Sequence, residues 1–449
     1  MFKQVCENRC MVNSEPQGRG NWVSNWCYDL EDMLQARPLR NAKHCREEAD
    51  VADECYEKTV ETEIEIQSTD GLISNILLKS AKAVGEGNWG LAANALAMLC
   101  GKISPHGDAR ERTATYFANG LVKRMAGRLH TSTKNLQQKS SSQNPEDRFP
   151  AYIALTKLTP FIRFAHLTAN QAILEAVETT DEIHIVDLDI MQGVQWPPLM
   201  QALAQRDGCP PRLLHITGMG STVSILNQTG ARLADFANSL GIPFEFHALH
   251  GGIEALTSSL LTRTTGGALV VNAVMQLPHL LENEFLTWPS VLKALQWLSP
   301  KVVTVAEQQF SPRCHDLRQQ QFSDRFSEAF RHYSAIFESL DATLPATSLE
   351  RLDIEQSWLG SEIVDMVCSK DTYGTESRQQ TTHWKLLMKR AGFNVTPQSK
   401  FAVAQARLLL KLCYPADGYQ LMEDAAGYLF LGWQDTLLCS VSSWKQQVL

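Results

Sequence analysis

The sequence lacks the basic stripe with which duplex-DNA binders neutralise phosphates. Nowhere do three Lys or Arg residues follow one another, and 41 basic against 49 acidic residues give a net charge of −8. Proteins that track DNA phosphates normally carry clustered cations, so this balance predicts a DNA contact that is indirect or weak. A direct, sequence-specific DNA-binding factor stays open as an alternative, because a folded chain can assemble scattered cations into a groove.

Long apolar runs are also missing. The opening residues, MFKQVCENRCMVN, contain no apolar stretch typical of a secretory signal, and no later run approaches membrane-spanning length. We therefore expect no membrane contact. The 11 cysteines show no regular spacing, which favours reduced thiols in the cytosol or nucleus.

Residues 1–70 lack sustained hydrophobic periodicity and form the first predicted region. Between residues 47 and 70 there are ten acidic residues against one Lys, a composition that predicts an acidic, mostly disordered tail. The cysteines of this tail, with a neighbouring histidine, lack the paired short spacing of structural zinc sites, so free thiols are favoured over a metal site. These residues are Cys6, Cys10, Cys27, His44, Cys45 and Cys55.

Leucine-rich helical patterns begin at residue 71. Three amphipathic helices are predicted up to residue 129, and Asp108 is the expected N-cap of the third. Their apolar residues either pack on one another and on the main domain, or form a groove or dimer face for a partner. The candidate partner-binding residues are Leu72, Leu77, Leu96, Leu99, Leu121 and Met125.

Beyond a polar linker at 131–148 and a helical stretch at 149–177, strands and helices alternate. Buried strands are predicted at 183–188, 212–217, 243–249, 268–274 and 301–307, with helices between them. Such alternation implies parallel βαβ units. A helical segment at 317–340 interrupts the pattern, and we expect it to pack beside the leucine-rich helices.

The C-terminal part changes character. Strand-like runs at 419–422, 428–433 and 437–444 are separated by short turns, which indicates antiparallel strands at the sheet edge. The predicted fold class is therefore α/β, with a Rossmann-like, methyltransferase-like, mostly parallel sheet and antiparallel C-terminal strands.

The first strand ends in a loop that can be tested for nucleotide binding. Ligands of open α/β sheets bind beyond the carboxyl ends of strands, so the candidate crevice residues are Asp187, Asp189, Gln192 and Trp196. A dinucleotide or S-adenosylmethionine loop needs clustered glycines, whereas this loop offers Gly193 alone. We therefore predict no cofactor.

At these residues the chain resembles the plant GRAS family. Ile183, His184, Ile185, Val186 and Asp187 stand where that family has its VHIID motif, and Trp433, Ser442, Ser443 and Trp444 match its terminal SAW motif. Residues 71–449 resemble a GRAS domain. The residues around 331–360 and at the C-terminus are most similar to those of the SCARECROW-like, Lateral suppressor-like members. The regions matched are leucine repeat I at 71–130, the VHIID region at 149–214, leucine repeat II at 229–261, the PFYRE region at 267–365 and the SAW region at 366–449.

The chain also departs from the family pattern. Ser361 replaces the usual Arg before Glu362, and the charged run expected near 376–384 is reduced. The LPHLL stretch at 277–281 fits an LxxLL partner motif, but core packing of its leucines is the favoured interpretation.

The resemblance implies a sheet retained as a scaffold, an α-helical cap, and a nuclear regulator of transcription in plant development. Members of the family typically act as co-regulators, through DNA-binding transcription factors and through homo- or heterodimers with other GRAS proteins. The resemblance thus favours a regulator over an enzyme. An S-adenosylmethionine-type enzyme or small-molecule sensor remains the third alternative.

Overall fold

A computed structural model describes residues 69–129, 149–206, 210–220, 222–250, 267–275, 288–309, 322–368, 385–386 and 388–447. These residues divide into two compact units. Of the described residues, those within 155–309 and 385–447 form the sheet unit, and those within 69–154 and 322–368 form the helical unit. The acidic tail, the LPHLL stretch, the helix expected at 253–261 and the reduced charged run near 376–384 lie outside the described residues.

Helices and strands alternate in the central part of the described chain, whereas helices alone precede β1 and three consecutive strands follow the last helix. The helices are α1 (Thr69–Gly85), α2 (Trp89–Ala97), α3 (Ala109–Leu129), α4 (Phe149–Leu158), α5 (Pro160–Ala176), α6 (Trp196–Ala204), α7 (Val223–Ser239), α8 (Trp288–Leu298), α9 (Phe322–Thr343), α10 (Leu349–Asp353), a π-helix (Ile354–Gly360), α11 (Ser361–Cys368) and α12 (Lys400–Cys413). The strands are β1 (Glu182–Asp187), β2 (Leu213–Met219), β3 (Phe244–Leu249), β4 (Ala268–Val274), β5 (Val302–Gln308), β6 (Phe393–Thr396), β7 (Tyr419–Glu423), β8 (Leu429–Trp433) and β9 (Thr436–Gln446).

One nine-stranded sheet organises the sheet unit. Its strand order is β3-β2-β1-β4-β5-β9-β8-β7, with β6 paired to β9. The pairs among β1 to β5 are parallel, whereas β9 runs antiparallel to β5, β6 and β8. The predicted fold class of a mostly parallel, Rossmann-like sheet with antiparallel C-terminal strands is confirmed.

Each face of the sheet has its own apolar core. Because side chains alternate along a strand, Ile183 and Ile185 of β1 point to one face and Val186 to the other. The first face packs against α6 and α7 through residues such as Trp196. The second packs Val186 with Trp444 of β9. A strand buried on both faces explains the unbroken apolar runs in the sequence.

The helical unit is built from segments far apart in the sequence. Helix α3 packs against α1, α9 and α11, and α9 also packs against α1. The ring of Phe117 lies edge-on to those of Phe326 and Phe330, with centroids 5.0 and 5.2 Å away. The segment that interrupts the βα alternation therefore packs beside the leucine-rich helices, as predicted.

Two local features differ from the sequence-based expectations. Strand β6 was not predicted, because four residues are too few to show a period of two. The seven-residue π-helix was also not predicted; its residues Glu355, Trp358 and Gly360 contact residues far away in the sequence. In the described part of the chain, no helix is both long and apolar enough to span a membrane.

Candidate functional site

The candidate site lies at the carboxyl end of β1, where the chain leaves the sheet toward α6. Asp187 is the last residue of β1 and is 4% exposed, and Trp196 opens α6 with no exposed surface. Trp196 Nε1 donates a hydrogen bond of 2.9 Å to Asp187 Oδ2. The structure thus brings together two of the predicted crevice residues, and they bind each other.

Asn272 of β4 holds the second oxygen of the carboxyl group. Its Nδ2 donates to Asp187 Oδ1 at 3.3 Å and to Gln195 Oε1 at 3.1 Å. Gln195 Nε2 donates in return to Asn272 Oδ1 at 3.1 Å. The pairing of β1 with β4 sets Asp187 opposite Asn272, so the sheet register itself creates this contact.

The same network extends to α5 and β5. Gln195 Nε2 also donates to Asn170 Oδ1 at 3.1 Å, and Asn170 Nδ2 donates to the backbone carbonyl of Gln195 at 2.9 Å. Thr304 Oγ1 donates to Asn272 Oδ1 at 2.8 Å. All these side chains are buried, so their polar groups are satisfied by one another, as buried polar groups need to be.

Burial raises the pKa of Asp187 to about 7, while the hydrogen bonds from Asn272 and Trp196 act in the opposite direction. Such a raised pKa is frequent at catalytic sites. Here, however, both carboxyl oxygens are engaged by neighbouring side chains. The Asp187 carboxyl group therefore links β1 to β4 and α6 through its hydrogen bonds.

The loop between β1 and α6 packs on β2 at the carboxyl ends of the strands, where ligands of open α/β sheets usually bind. Ile190 is buried, and its amide donates to the Met219 carbonyl at 2.9 Å. A Cβ atom placed on Gly218 would lie 2.8 Å from Ile190 Cγ2. The glycine that could have allowed a ligand to approach β2 instead accommodates the side chain of Ile190.

The remaining predicted crevice residues are more exposed. Asp189 and Gln192 are both partly buried. Arg232 of α7 donates from Nη2 to Gln192 Oε1 at 2.7 Å. Thr229 Oγ1 donates to the Met191 carbonyl at 2.9 Å, so α7 anchors the loop. Gly193, with a φ of +66°, has no room for a Cβ beside Thr229.

His184 of the VHIID motif lies inside the sheet unit. Its ring stacks on that of His215 with centroids 4.2 Å apart, and its Nε2 is 2.9 Å from Thr217 Oγ1. Both rings are nearly inaccessible to solvent. The interpretation of His184 as a core histidine agrees with this geometry.

The SAW residues are structural members of the same unit. Trp444 Nε1 donates to Ser442 Oγ at 3.0 Å, and Gln398 Nε2 donates to Ser443 Oγ at 2.9 Å. The Trp433 ring lies edge-on to Tyr419 at 4.9 Å. All four SAW side chains are buried.

Most candidate partner-binding residues are buried within the helical unit. Leu77, Leu96, Leu99 and Leu121 are fully buried and Met125 is 1% exposed, whereas Leu72 is partly exposed. A partner of these helices would therefore touch Leu72 and other outward residues. Partner binding by this region stays a prediction.

The helical unit has a polar centre that sequence reasoning missed. Arg112 donates from Nε to Glu355 Oε2 at 2.9 Å and from Nη2 to Asp341 Oδ1 at 2.6 Å. Its Nη1 also donates to the Gly107 carbonyl at 2.7 Å. Burial raises the pKa of Glu355, and the charges of Arg112 and Arg351 oppose that shift.

Four members of the sheet-unit network were also missed: Asn170, Gln195, Asn272 and Thr304. Asn272 carried a usable signal, since it is the one polar residue in the run ALVVNAV. Asn170 and Gln195 carried none, because polar residues are common both within helices and just before them.

These features define a class: a Rossmann-like protein with a helical unit and a buried, hydrogen-bonded side-chain network at the carboxyl end of its first strand. A model of the GRAS domain family matches residues 73–445. The chain belongs to the GRAS family, and the resemblance seen in its motifs is confirmed.

Individual relatives agree with this assignment. Scarecrow-like protein 18 of Arabidopsis thaliana is 41% identical over 83% of this chain and 91% of its own length. Protein MONOCULM 1 of Oryza sativa subsp. japonica is 39% identical over 83% of this chain and 88% of its own. The crystal structure of SCL7 from Oryza sativa superposes with a TM-score of 0.70 at 36% identity, covering 83% of this chain and 99% of that one.

Proposed function

We propose that this protein is a nuclear regulator of transcription in plant development that acts as a co-regulator through DNA-binding factors. Family membership supports a regulatory role, and relatives named SCARECROW-like and MONOCULM support a developmental one. The net charge of −8 favours contacts with proteins over contacts with phosphates.

The observation that supports the proposal is the packing of the protein's own side chains at the carboxyl end of β1. Asp187, Trp196 and Asn272 satisfy one another, and Ile190 lies against Gly218. An enzyme of this fold class binds its ligand at this end of the strands, and a ligand there would have to displace buried, hydrogen-bonded side chains. The sheet therefore supports a scaffold role better than an enzymatic one.

Selection of random duplex DNA by the purified full chain tests the co-regulator proposal. At physiological salt we expect no enriched sequence from the protein alone, and enrichment only when a DNA-binding partner is added. A motif enriched by the chain alone would replace the proposal with a direct DNA-binding factor. Its affinity should then fall steeply with salt.

Calorimetric titration with S-adenosylmethionine tests the crevice. We expect no heat of binding up to millimolar ligand. A saturable heat that is lost in an Asp187→Ala variant would restore the enzyme or sensor alternative, with Asp187 as a ligand-binding residue.

The first leucine-rich helix offers a test of the partner surface. Leu72→Asp changes a partly exposed side chain, so the variant should fold and lose partner capture. Asn75→Asp, at an exposed position of the same helix, is the charge-matched control. Full capture by a folded Leu72→Asp variant would move the interface away from α1.

A further inference from the structure

Helix α12 of the sheet unit carries a second apolar face that is exposed. Its inner residues, including Val403, Ala406 and Leu409, are buried on the side that packs against α5. On the outer side Phe401 is 59% exposed and Leu412 is 50% exposed. A single Leu or Phe at the surface is ordinary, but a row of them on one helix needs a reason.

The outer residues form a continuous stripe. Phe401, Leu408 and Leu412 are spaced by seven and four residues, which places them within about 40° of one another on a helix with 3.6 residues per turn. Leu408 is 39% exposed, and Ala404 is exposed beside it. The stripe runs from Phe401 to Leu412, and eleven rises of about 1.5 Å give it a length of about 16 Å.

A row of cations runs along one border of this stripe. Lys400, Arg407 and Lys411 each precede one of the three large apolar residues, so the two rows are parallel. None of the 14 residues of α12 is acidic, although the whole chain has a net charge of −8. Arg407 Nη2 lies 3.8 Å from Glu423 Oε1, and both side chains are exposed, so this ion pair is weak and can exchange for another anion.

The helix is held in place at both ends. Ser399 Oγ accepts a hydrogen bond of 3.0 Å from the Ala402 amide and donates to Glu175 Oε1 at 2.6 Å. Beyond the last turn, Tyr414 Oη donates to the Lys157 carbonyl at 3.2 Å. A preformed surface loses little conformational entropy on binding.

We propose that the outer face of α12 binds an acidic amphipathic helix of a partner protein. The apolar stripe accepts the apolar row of such a helix, and the cations pair with carboxylates on its adjacent row. An antiparallel second copy of α12 fits less well, because two-fold symmetry would place both basic rows on the same side of the interface. Nucleic acid would use the cations but leave the stripe uncovered.

A labelled peptide provides the probe. We would use an 18-residue helix-forming peptide with Leu at positions i, i+3, i+4 and i+7 of each repeat and Glu along the neighbouring row. Fluorescence anisotropy with the full chain should show saturable binding. The same peptide with Lys in place of Glu should bind at least tenfold more weakly.

Variants of the chain assign the binding to this face. The triple change Phe401→Ser, Leu408→Ser and Leu412→Ser alters exposed side chains, so the fold should persist while affinity falls at least tenfold. Lys400→Glu with Lys411→Glu should reverse the preference between the two peptides. Trp297→Ser is the matched control, since that side chain is 57% exposed on α8, and it should leave affinity unchanged.

Four results would overturn the proposal. They are unchanged affinity in the folded triple variant, equal affinity for both peptides, self-association in sedimentation that the triple variant abolishes, and duplex-DNA binding that needs the two lysines but not Leu408. The face lies outside α1–α3, so none of these results would decide the proposed co-regulator function, which the DNA selection and the α1 variants test separately.

Discussion

The two units of this protein bury polar networks of opposite kinds. In the helical unit the network is ionic, with Arg112 against Glu355 and Asp341. In the sheet unit it consists largely of amides, with Asn272, Gln195 and Asn170 around a single carboxyl group. Both networks connect segments distant in the sequence, and they differ in what is left behind when one member is removed.

An amide can donate and accept at once, so a loss in the sheet unit leaves single neutral groups unsatisfied, at about 1–3 kcal/mol each. A guanidinium only donates, and the loss of Arg112 leaves the buried Glu355 carboxylate with only the more distant Arg351, whose Nε lies 3.7 Å from Glu355 Oε1. The ionic network is therefore the more fragile one under single substitution.

Arg112→Leu should have the largest effect. We expect a loss of about 3–5 kcal/mol in the free energy of unfolding at pH 7, because Glu355 is 1% exposed and would lose two hydrogen bonds and the nearer of its two arginine partners. The measurement is urea unfolding of the full chain followed by circular dichroism.

The control for this loss adds Glu355→Gln to Arg112→Leu. The double variant should be more stable than Arg112→Leu alone, since no buried charge remains. A loss below about 1 kcal/mol in the single variant would show that the helical unit does not depend on its ion pairs.

Asp187→Asn should change how stability depends on pH. The pKa of Asp187 is raised to about 7 in the folded state, so its contribution is complete at low pH and is lost as the pH rises from about 4 through 7. A shift of about three pKa units corresponds to at most about 4 kcal/mol by linkage. The asparagine variant stays neutral, so its stability should fall less over this range.

The measurement for Asp187→Asn is urea unfolding of both proteins at pH 5 and pH 8. Subtracting the two pH dependences removes contributions from other groups, including Glu355, whose pKa is also raised. Parallel pH dependences would mean that the hydrogen bonds from Trp196 and Asn272 keep Asp187 ionised throughout.

The sheet unit was easier to predict from the sequence than the helical unit, and the reason is physical. Strand β4 was predicted at its observed bounds, because a run of β-branched residues between turns carries its own signal. In the helical unit, the predicted N-cap at Asp108 was also correct: its Oδ1 accepts from the Glu111 amide at 2.8 Å. Both depend on residues adjacent in sequence.

What could not be predicted depends on partners far along the chain. Arg112 and Glu355 are 243 positions apart, and nothing near either residue indicates the other. The π-helix also makes such distant contacts: a Cβ on its Gly360 would lie 2.4 Å from Tyr116 Cε1. The crevice residues were located at the correct strand end, but their mutual hydrogen bonds required the register of β1 with β4.

Gly218→Ala should have a moderate effect in the sheet unit. The added methyl group would meet Ile190 Cγ2 at 2.8 Å and Phe246 Cζ at 3.0 Å, so we expect a loss of about 1–3 kcal/mol. Adding Ile190→Ala should recover part of this loss, and a double-mutant cycle measures the coupling. Strictly additive losses would indicate that Ile190 does not fill the space above β2.

The smallest effects should come from helix caps, and they compare the two units directly. Asp108→Ala removes the N-cap of α3, and Ser399→Ala removes that of α12, where Ser399 Oγ accepts from the Ala402 amide. Each should lower the free energy of unfolding by about 1 kcal/mol, a typical value for a lost cap. Ser399→Ala should lose slightly more, because the Ser399 hydroxyl also donates to Glu175 Oε1.

Urea unfolding of both variants and of a Ser399→Asp variant, which restores a cap acceptor but repels Glu175, checks this ranking. Full recovery in Ser399→Asp would assign the whole effect to the cap, whereas no recovery would assign it to the contact with α5.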